Sequence, residues 1–251
     1  MIVCFATHKG GTAKTTSSIN LAAGLARAGK PTLLVDLDPQ GHSTLGLGVE
    51  LDDDDINVAD ALSKRSLPLA DVIHSTATPG LDIAPSTLRL ASVAESLSTM
   101  VKREERLARV LARTTRYEWI VIDCPPMLGV LTTNAVAASD LIIIPCPTGA
   151  RALDGLEDLL DLVYVLKGEQ YPHWRVLLTM VDPRKTVTKE IFQEQLRPYE
   201  RKVLATKILT SEALNQSQMA RRDIYTFDPR GRGAANYKAL TQEVLRLTSK
   251  G

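Results

Sequence analysis

At 251 residues, with 44% hydrophobic and 24% charged side chains, the chain has the size and balance of one α/β domain able to bury a full core. Its 4% aromatic content argues against a function built on stacking nucleic-acid bases, and the absence of any run of ~18 apolar residues argues against a membrane span. The net charge of +1 hides an asymmetry: residues 1–170 carry 15 Lys/Arg against 21 Asp/Glu, giving −6, whereas residues 171–251 carry 15 against 8, giving +7. A basic C-terminal third fits a polyanion-binding face, and equally fits solvated charges scattered over helices.

The first expected strand, Ile2–Ala6, follows Met1 with no charged-then-apolar leader, so no export signal and a cytoplasmic location are expected. It runs into Thr7-His8-Lys9-Gly10-Gly11-Thr12-Ala13-Lys14-Thr15-Thr16, a glycine-bearing loop ending at the mouth of a helix. That order of strand, loop, Lys-Thr and helix is a phosphate-binding loop: successive backbone N–H groups and the positive end of the helix form a nest for an anion. Residues Lys9, Gly10, Gly11, Thr12, Ala13, Lys14, Thr15 and Thr16 are therefore the candidate nucleotide contacts. Lys14 supplies a point charge for β- and γ-phosphates, and the Thr15 hydroxyl is placed for Mg²⁺. Ala13 stands where glycine is usual, keeping a small side chain without glycine's φ freedom.

The helix should run from Thr15 to Ala28, with Gly29 as its stop. Thr32–Asp36 reads as an apolar strand ending in an acid, followed by Leu37-Asp38-Pro39-Gln40-Gly41-His42-Ser43-Thr44. Acids two apart on extended chain point the same way, so Asp36 and Asp38 are expected to face one site. The run Asp52–Asp55 reads as a solvated loop rather than a metal site. Leu81–Pro85 is a short strand, after which Ser86 is expected to cap one long helix with apolar positions at Leu90, Ala94, Leu97, Val101, Leu107 and Leu111. Trp119–Asp123 is a buried strand, again ending in an acid, followed by Cys124-Pro125-Pro126. Leu141–Pro145 and Val176–Met180 are further strands, with helices around 151–167, 187–197 and 234–248. The alternation predicts a doubly wound, mostly parallel sheet covered by helices on both faces, in a single domain spanning 1–251. Cys4, Cys124 and Cys146 read as isolated, buried, reduced thiols without metal-ligand spacing.

Open α/β sheets bind ligands at the C-terminal ends of their strands. The phosphate loop, Asp38 and Asp123 should converge there, with Thr15, Asp38 and Asp123 as candidate Mg²⁺ ligands.

Lys-Gly-Gly-x-x-Lys-Thr resembles the deviant Walker A loop of the ParA/MinD superfamily of P-loop ATPases. The likeness to the ParA/Soj partition ATPases extends over nearly the whole chain. Asp36–Gly48 resembles that family's switch I, and Ile122–Pro126 with Leu131–Ala135 its Walker B and switch II. Leu178-Thr179-Met180-Val181-Asp182-Pro183-Arg184 resembles its Thr-Met-x-Asp-x-Arg strand, and Ser211–Ala213 and Tyr225–Ala234 its C-terminal signatures. The resemblance implies slow, partner-stimulated ATP hydrolysis with ATP and Mg²⁺ as cofactors. Lys14, Thr15 and Thr16 bind phosphates and Mg²⁺ within the subunit, Lys9 acts across an ATP-bound homodimer, Asp38 positions the attacking water, and Asp123 holds Mg²⁺. It further implies sequence-independent binding to nucleoid DNA and a ParB-like or other adaptor partner, in a cycle that moves a plasmid, chromosome or protein cargo. Candidate DNA contacts are Arg184, Lys207, Arg221 and Arg222.

Departures from the family pattern are concentrated late in the chain. Leu204-Ala205-Thr206-Lys207-Ile208-Leu209-Thr210 replaces the usual Ile-Pro-Arg-Asn-Val-Arg, which bears on the adenine side of the pocket and places Leu209 where relatives carry an arginine. No helix-turn-helix extension precedes the loop, so operator-specific repression is not expected. A MinD-like membrane-cycling ATPase would need an amphipathic C-terminal helix. The tail from Tyr237 lacks Phe and Trp and reads instead as packed on the domain, with no membrane partner. A metabolic enzyme of the same superfamily is the other alternative; it would respond to a small acceptor rather than to DNA.

Overall fold

The computed structural model describes residues 1–52, 54–64, 67–148, 155–184 and 194–248. Eight strands form one sheet: β1 (Ile2–Phe5), β2 (Thr32–Asp36), β3 (His74–Ser75), β4 (Leu81–Ala84), β5 (Trp119–Asp123), β6 (Leu141–Pro147), β7 (Trp174–Val181) and β8 (Val203–Leu209). Their spatial order is β3-β4-β2-β5-β1-β6-β7-β8. Every neighbouring pair is parallel except β3–β4. The helices are α1 (Lys14–Arg27), α2 (His42–Gly46), α3 (Val58–Ser63), α4 (Arg89–Ser98), α5 (Arg106–Leu111), α6 (Val130–Ala138), α7 (Leu156–Lys167), α8 (Glu212–Met219), α9 (Ile224–Phe227) and α10 (Arg232–Thr248).

Both faces of the sheet are buried, and the strands alternate between two cores as the period of two requires. Val3 and Phe5 join Leu21, Leu25, Leu34, Val121 and Ile143 beneath α1 and α10, while Cys4 and Ala6 join Leu33, Val35, Leu107, Leu131 and Leu159 beneath α3 to α7. Tyr237, Leu240 and Val244 of α10 are fully buried, so this helix spends its apolar face on the domain. Among the described residues no helix is long and apolar enough to cross a membrane.

Three local expectations are corrected. The single long helix after Ser86 is two helices: α4 ends at Ser98, Lys102 takes a left-handed φ of 57°, and the chain resumes through a short 3₁₀ turn into α5. Val101, expected on an apolar face, is 93% exposed at that break. Ser86 does not cap α4: the residue before the helix is Leu88, and the Ser86 hydroxyl is buried without a hydrogen-bond partner among the described residues. The three thiols are free and buried, as expected; burial pushes the Cys124 thiol well up, and that of Cys146 to about 12.

Strand β8 was not read from the sequence. Only Leu204 and Ile208 are fully buried, with Val203 and Leu209 packed part-buried against the opposite core, and its outer edge is closed by α10. The Glu243 carboxylate accepts from Ala205 N at 2.7 Å and Thr206 N at 2.8 Å, and Asn236 Oδ1 accepts from Leu209 N at 3.1 Å. These side chains occupy the donors that an edge strand would otherwise offer to another chain. Of the helix expected at 187–197, residues 187–193 lie outside the described residues, as do 151–154 of the helix expected at 151–167, and Asp53.

Candidate functional site

The register of the three central strands sets the site. Phe5 of β1 and Asp36 of β2 both pair with Asp123 of β5, so the phosphate loop and both strand-tip acids leave the sheet side by side. A cavity of about 790 Å³ opens above them. Its lining includes Gly10 to Thr16 on the loop, Asp38 and His42 on the segment after β2, and Pro126 after β5. A far wall runs from Ile208 to Arg221.

Ala13 is the residue before α1 and sits at φ 64°, ψ 28°. The loop therefore keeps the left-handed turn that glycine would adopt freely, and Ala13 bears a strain of roughly 1 kcal/mol. The turn is braced from behind, where Thr179 Oγ1 of β7 donates to Thr12 O at 3.0 Å. Lys14 is buried to 7% exposure with its Nζ 3.9 Å from Asp123 Oδ1. Asp123 is fully buried and accepts from Ser18 Oγ at 3.1 Å and Ser43 Oγ at 2.7 Å. A buried carboxylate needs such donors or a cation. Ser18 lies one helical turn after Lys14, so α1 delivers both to the same acid.

Asp38 lines the cavity, as expected, and is only 4% exposed. Its Oδ1 accepts from Gln40 N at 3.0 Å, and His42 Nδ1 stands 3.9 Å from its Oδ2. Asp36 does not share that cavity. The strand ends at Asp36, and the chain folds its carboxylate back onto the following segment. Oδ1 accepts from Asp38 N at 3.1 Å, and Oδ2 from Thr44 N at 2.9 Å and Thr44 Oγ1 at 2.8 Å. Asp36 thus clasps the loop that carries Asp38. Burial, then the charge of Asp123, pushes the Asp36 carboxyl up to about 7, against the hydrogen bonds from Thr44 and Asp38. Gly41 turns within the clasped loop at φ 65°, where a Cβ would lie 3.0 Å from Ser86 O.

The Thr15 hydroxyl and Asp38 line the cavity and are oxygen donors suited to a hard cation, while Asp123 lies fully buried beside Lys14, outside the lining. Thr12 Oγ1 is buried on the cavity wall without a hydrogen-bond partner among the described residues, a polar atom that a phosphate oxygen would satisfy. Lys9 is half-buried at the loop entrance.

The four candidate DNA contacts do not form one cluster around the cavity. Arg184 is 88% exposed and grips Asp182, its Nε and Nη2 each 3.0 Å from a carboxylate oxygen. Lys207 is exposed on the edge strand, and Arg222 is exposed just after α8. Arg221 lines the cavity and is ion-paired with Glu50. Sequence reasoning quoted Ser43 and Thr44 without giving them a role. It missed Ser18, which the i, i+4 spacing from Lys14 could have revealed. It also missed Gln218, whose Nε2 donates to Thr16 Oγ1 at 2.9 Å and for which the sequence holds no signal.

An AAA domain family model matches residues 1–176. The chain is 40% identical over 247 residues to the sporulation initiation inhibitor protein Soj of Bacillus subtilis, covering 97% of each. It is 34% identical over 249 residues to the chromosome partitioning protein ParA of Myxococcus xanthus, covering 98% of this chain and 88% of that one. Among solved structures, cobyrinic acid a,c-diamide synthase from Mycobacterium smegmatis, with bound ATP analog and magnesium, superposes with a TM-score of 0.84 at 29% identity over 98% of this chain and 94% of that one.

Proposed function

The chain belongs to the ParA/Soj family of P-loop ATPases, and on that premise we propose that it hydrolyses ATP in an ATP-dependent homodimer that binds DNA without sequence preference and positions a cargo with a ParB-like partner. The observation that carries the reading is one cavity lined by a phosphate loop, a buried Lys14 and Asp38, with Asp123 buried behind Lys14, 3.9 Å from its Nζ. In this reading Lys14 offsets charge on the β- and γ-phosphates, and the backbone from Gly10 to Thr16 cradles them. Thr15, Asp38 and Asp123 would hold Mg²⁺, which supplies charge neutralisation to the phosphates. Asp38, held by the Gln40 N–H and by the Asp36 clasp, orients the attacking water. Lys9, at the loop mouth, reaches the nucleotide of the partner subunit.

Sequence relatedness favours partition over metabolic synthesis, because Soj is 40% identical whereas the synthase is 29% identical. The burial of Tyr237, Leu240 and Val244 by α10 argues against a membrane-cycling role, because that helix spends its main apolar face on the domain.

The test is a salt series on non-specific duplex DNA with ATP, ADP and no nucleotide. Pairing two weak basic patches in the dimer should confine binding to the ATP state. Binding should fall steeply with salt, and Arg184→Ala should reduce the slope of log K against log salt by about one unit. Equal binding in all three states, or none at low salt, refutes DNA as the matrix.

A further inference from the structure

We propose that α8 is the base-reading wall of the cavity, with Asn215 Oδ1 selecting a purine that carries a 6-amino group and Gln218 positioning that wall against the phosphate loop. The inference rests on the cavity's being a nucleotide site and adds the residue that tells one purine from another.

The polarity of the cavity gives the direction of the ligand. Lys14 and Asp38 mark the end for the β- and γ-phosphates, so the sugar and base extend past Thr16 toward the opposite wall. That wall is Ile208 to Ser211 at the end of β8, followed by Leu214, Asn215, Gln218 and Met219 on α8. Ile208, Leu209, Leu214 and Met219 offer apolar surface to the faces of a ring. The amides at 215 and 218, three apart on one helix, share a face and are the only ones among the described residues of that wall. The wall is tied at both ends. Gln218 Nε2 donates to Thr16 Oγ1 at 2.9 Å, and Arg221, also on the lining, is ion-paired with Glu50.

The two amides differ in what they leave free. The partner of Asn215 is the Glu212 carboxylate, reached by Asn215 Nδ2 at 3.4 Å. A carboxylate only accepts, so the NH₂ of Asn215 must face it, and Oδ1 remains as an acceptor. Adenine presents an amino donor at position 6, which an acceptor satisfies. Guanine presents a carbonyl there, which an acceptor repels. Gln218 is committed to Thr16, so its loss should loosen the wall for both purines alike.

The experiment is calorimetric titration of the full chain with Mg-ATP and with Mg-GTP, for wild type, Asn215→Ala and Gln218→Ala, with circular dichroism to confirm folding. Asn215 is exposed on a helix surface, so its truncation leaves the core intact. Wild type should prefer ATP. Asn215→Ala should weaken ATP by about 3- to 10-fold, the loss of one hydrogen bond, without weakening GTP, so that the ratio of affinities falls. Gln218→Ala should weaken both and leave the ratio unchanged. ATP binding with the same ATP-to-GTP ratio in Asn215→Ala as in wild type overturns the base-reading assignment and leaves the nucleotide site standing. Binding of neither nucleotide by wild type overturns both.

Discussion

Replacing Thr44 by valine tests the Asp36 clasp with little change of shape. The hydroxyl is buried, donates to Asp36 Oδ2 at 2.8 Å and accepts from Ser86 N at 3.0 Å. Valine removes a hydrogen bond to a carboxylate, typically ~1.5–3 kcal/mol, and leaves the Ser86 N–H without its acceptor, typically ~1–3 kcal/mol. The two losses share one atom and do not simply add, so a destabilisation of about 3 kcal/mol is expected, with Tm lower by roughly 6–12 °C for a domain of this size. Urea unfolding can be followed through Trp119 and Trp174, which are 6% and 4% exposed. The midpoint should fall with an unchanged m-value. The effect should be larger at pH 8 than at pH 5.5, because the Thr44 donors favour the ionised carboxyl, whose value lies at about 7. A loss below ~1 kcal/mol at pH 8, or no difference between the two pH values, refutes the clasp.

Lys14→Ala should abolish ATP binding, because it removes the charge facing the β/γ-phosphates; unchanged affinity by calorimetry would contradict the loop assignment. Asp38→Ala should bind ATP yet slow hydrolysis by ~10²–10⁴-fold and accumulate the dimer, read by phosphate release and by light scattering; a wild-type rate would remove Asp38 from the mechanism. Asp36→Asn should flatten the stability–pH profile. The folded value of Asp36, about 7, lies above its ordinary 3.8, so its contribution is fully present below 3.8 and is lost as pH rises through about 7. A variant with the same slope as wild type between pH 5 and 8 would show that another group titrates there.

The parts of this molecule legible in its sequence are those fixed by local chemistry. Trp119–Asp123 is the strand expected, to the residue, because a continuous apolar run bounded by an acid and Pro-Pro has few other uses. The phosphate loop is legible because its function is written in backbone geometry that Gly10, Gly11 and the Lys-Thr pair enforce. The missed features are relational. Nothing in Leu204–Leu209 announces a strand, because two side chains of α10, Glu243 and Asn236, make that edge tolerable. The long helix was misread because a period of 3.6 survives a break when the two halves cover the same core: Leu97 and Leu107 are both buried there, on either side of an exposed turn.

Asp36 is the more instructive error. The rule that residues two apart face one way holds only while the chain stays extended, and β2 stops at Asp36 itself. The two acids then divide the work. Asp38 faces the cavity, while Asp36 spends both oxygens holding the loop that presents it. Across the sheet Asp123 is held in the same way from two sides, by Ser18 on the phosphate-loop helix and by Ser43 on the clasped loop. Ser43 and Thr44 are adjacent, so the loop is fastened to two neighbouring buried carboxylates at consecutive residues. A phosphate or cation that drew Asp123 away from Ser43 would therefore pull on the segment that Thr44 fastens to Asp36. That is a physical route by which nucleotide at the loop and the position of Asp38 become coupled.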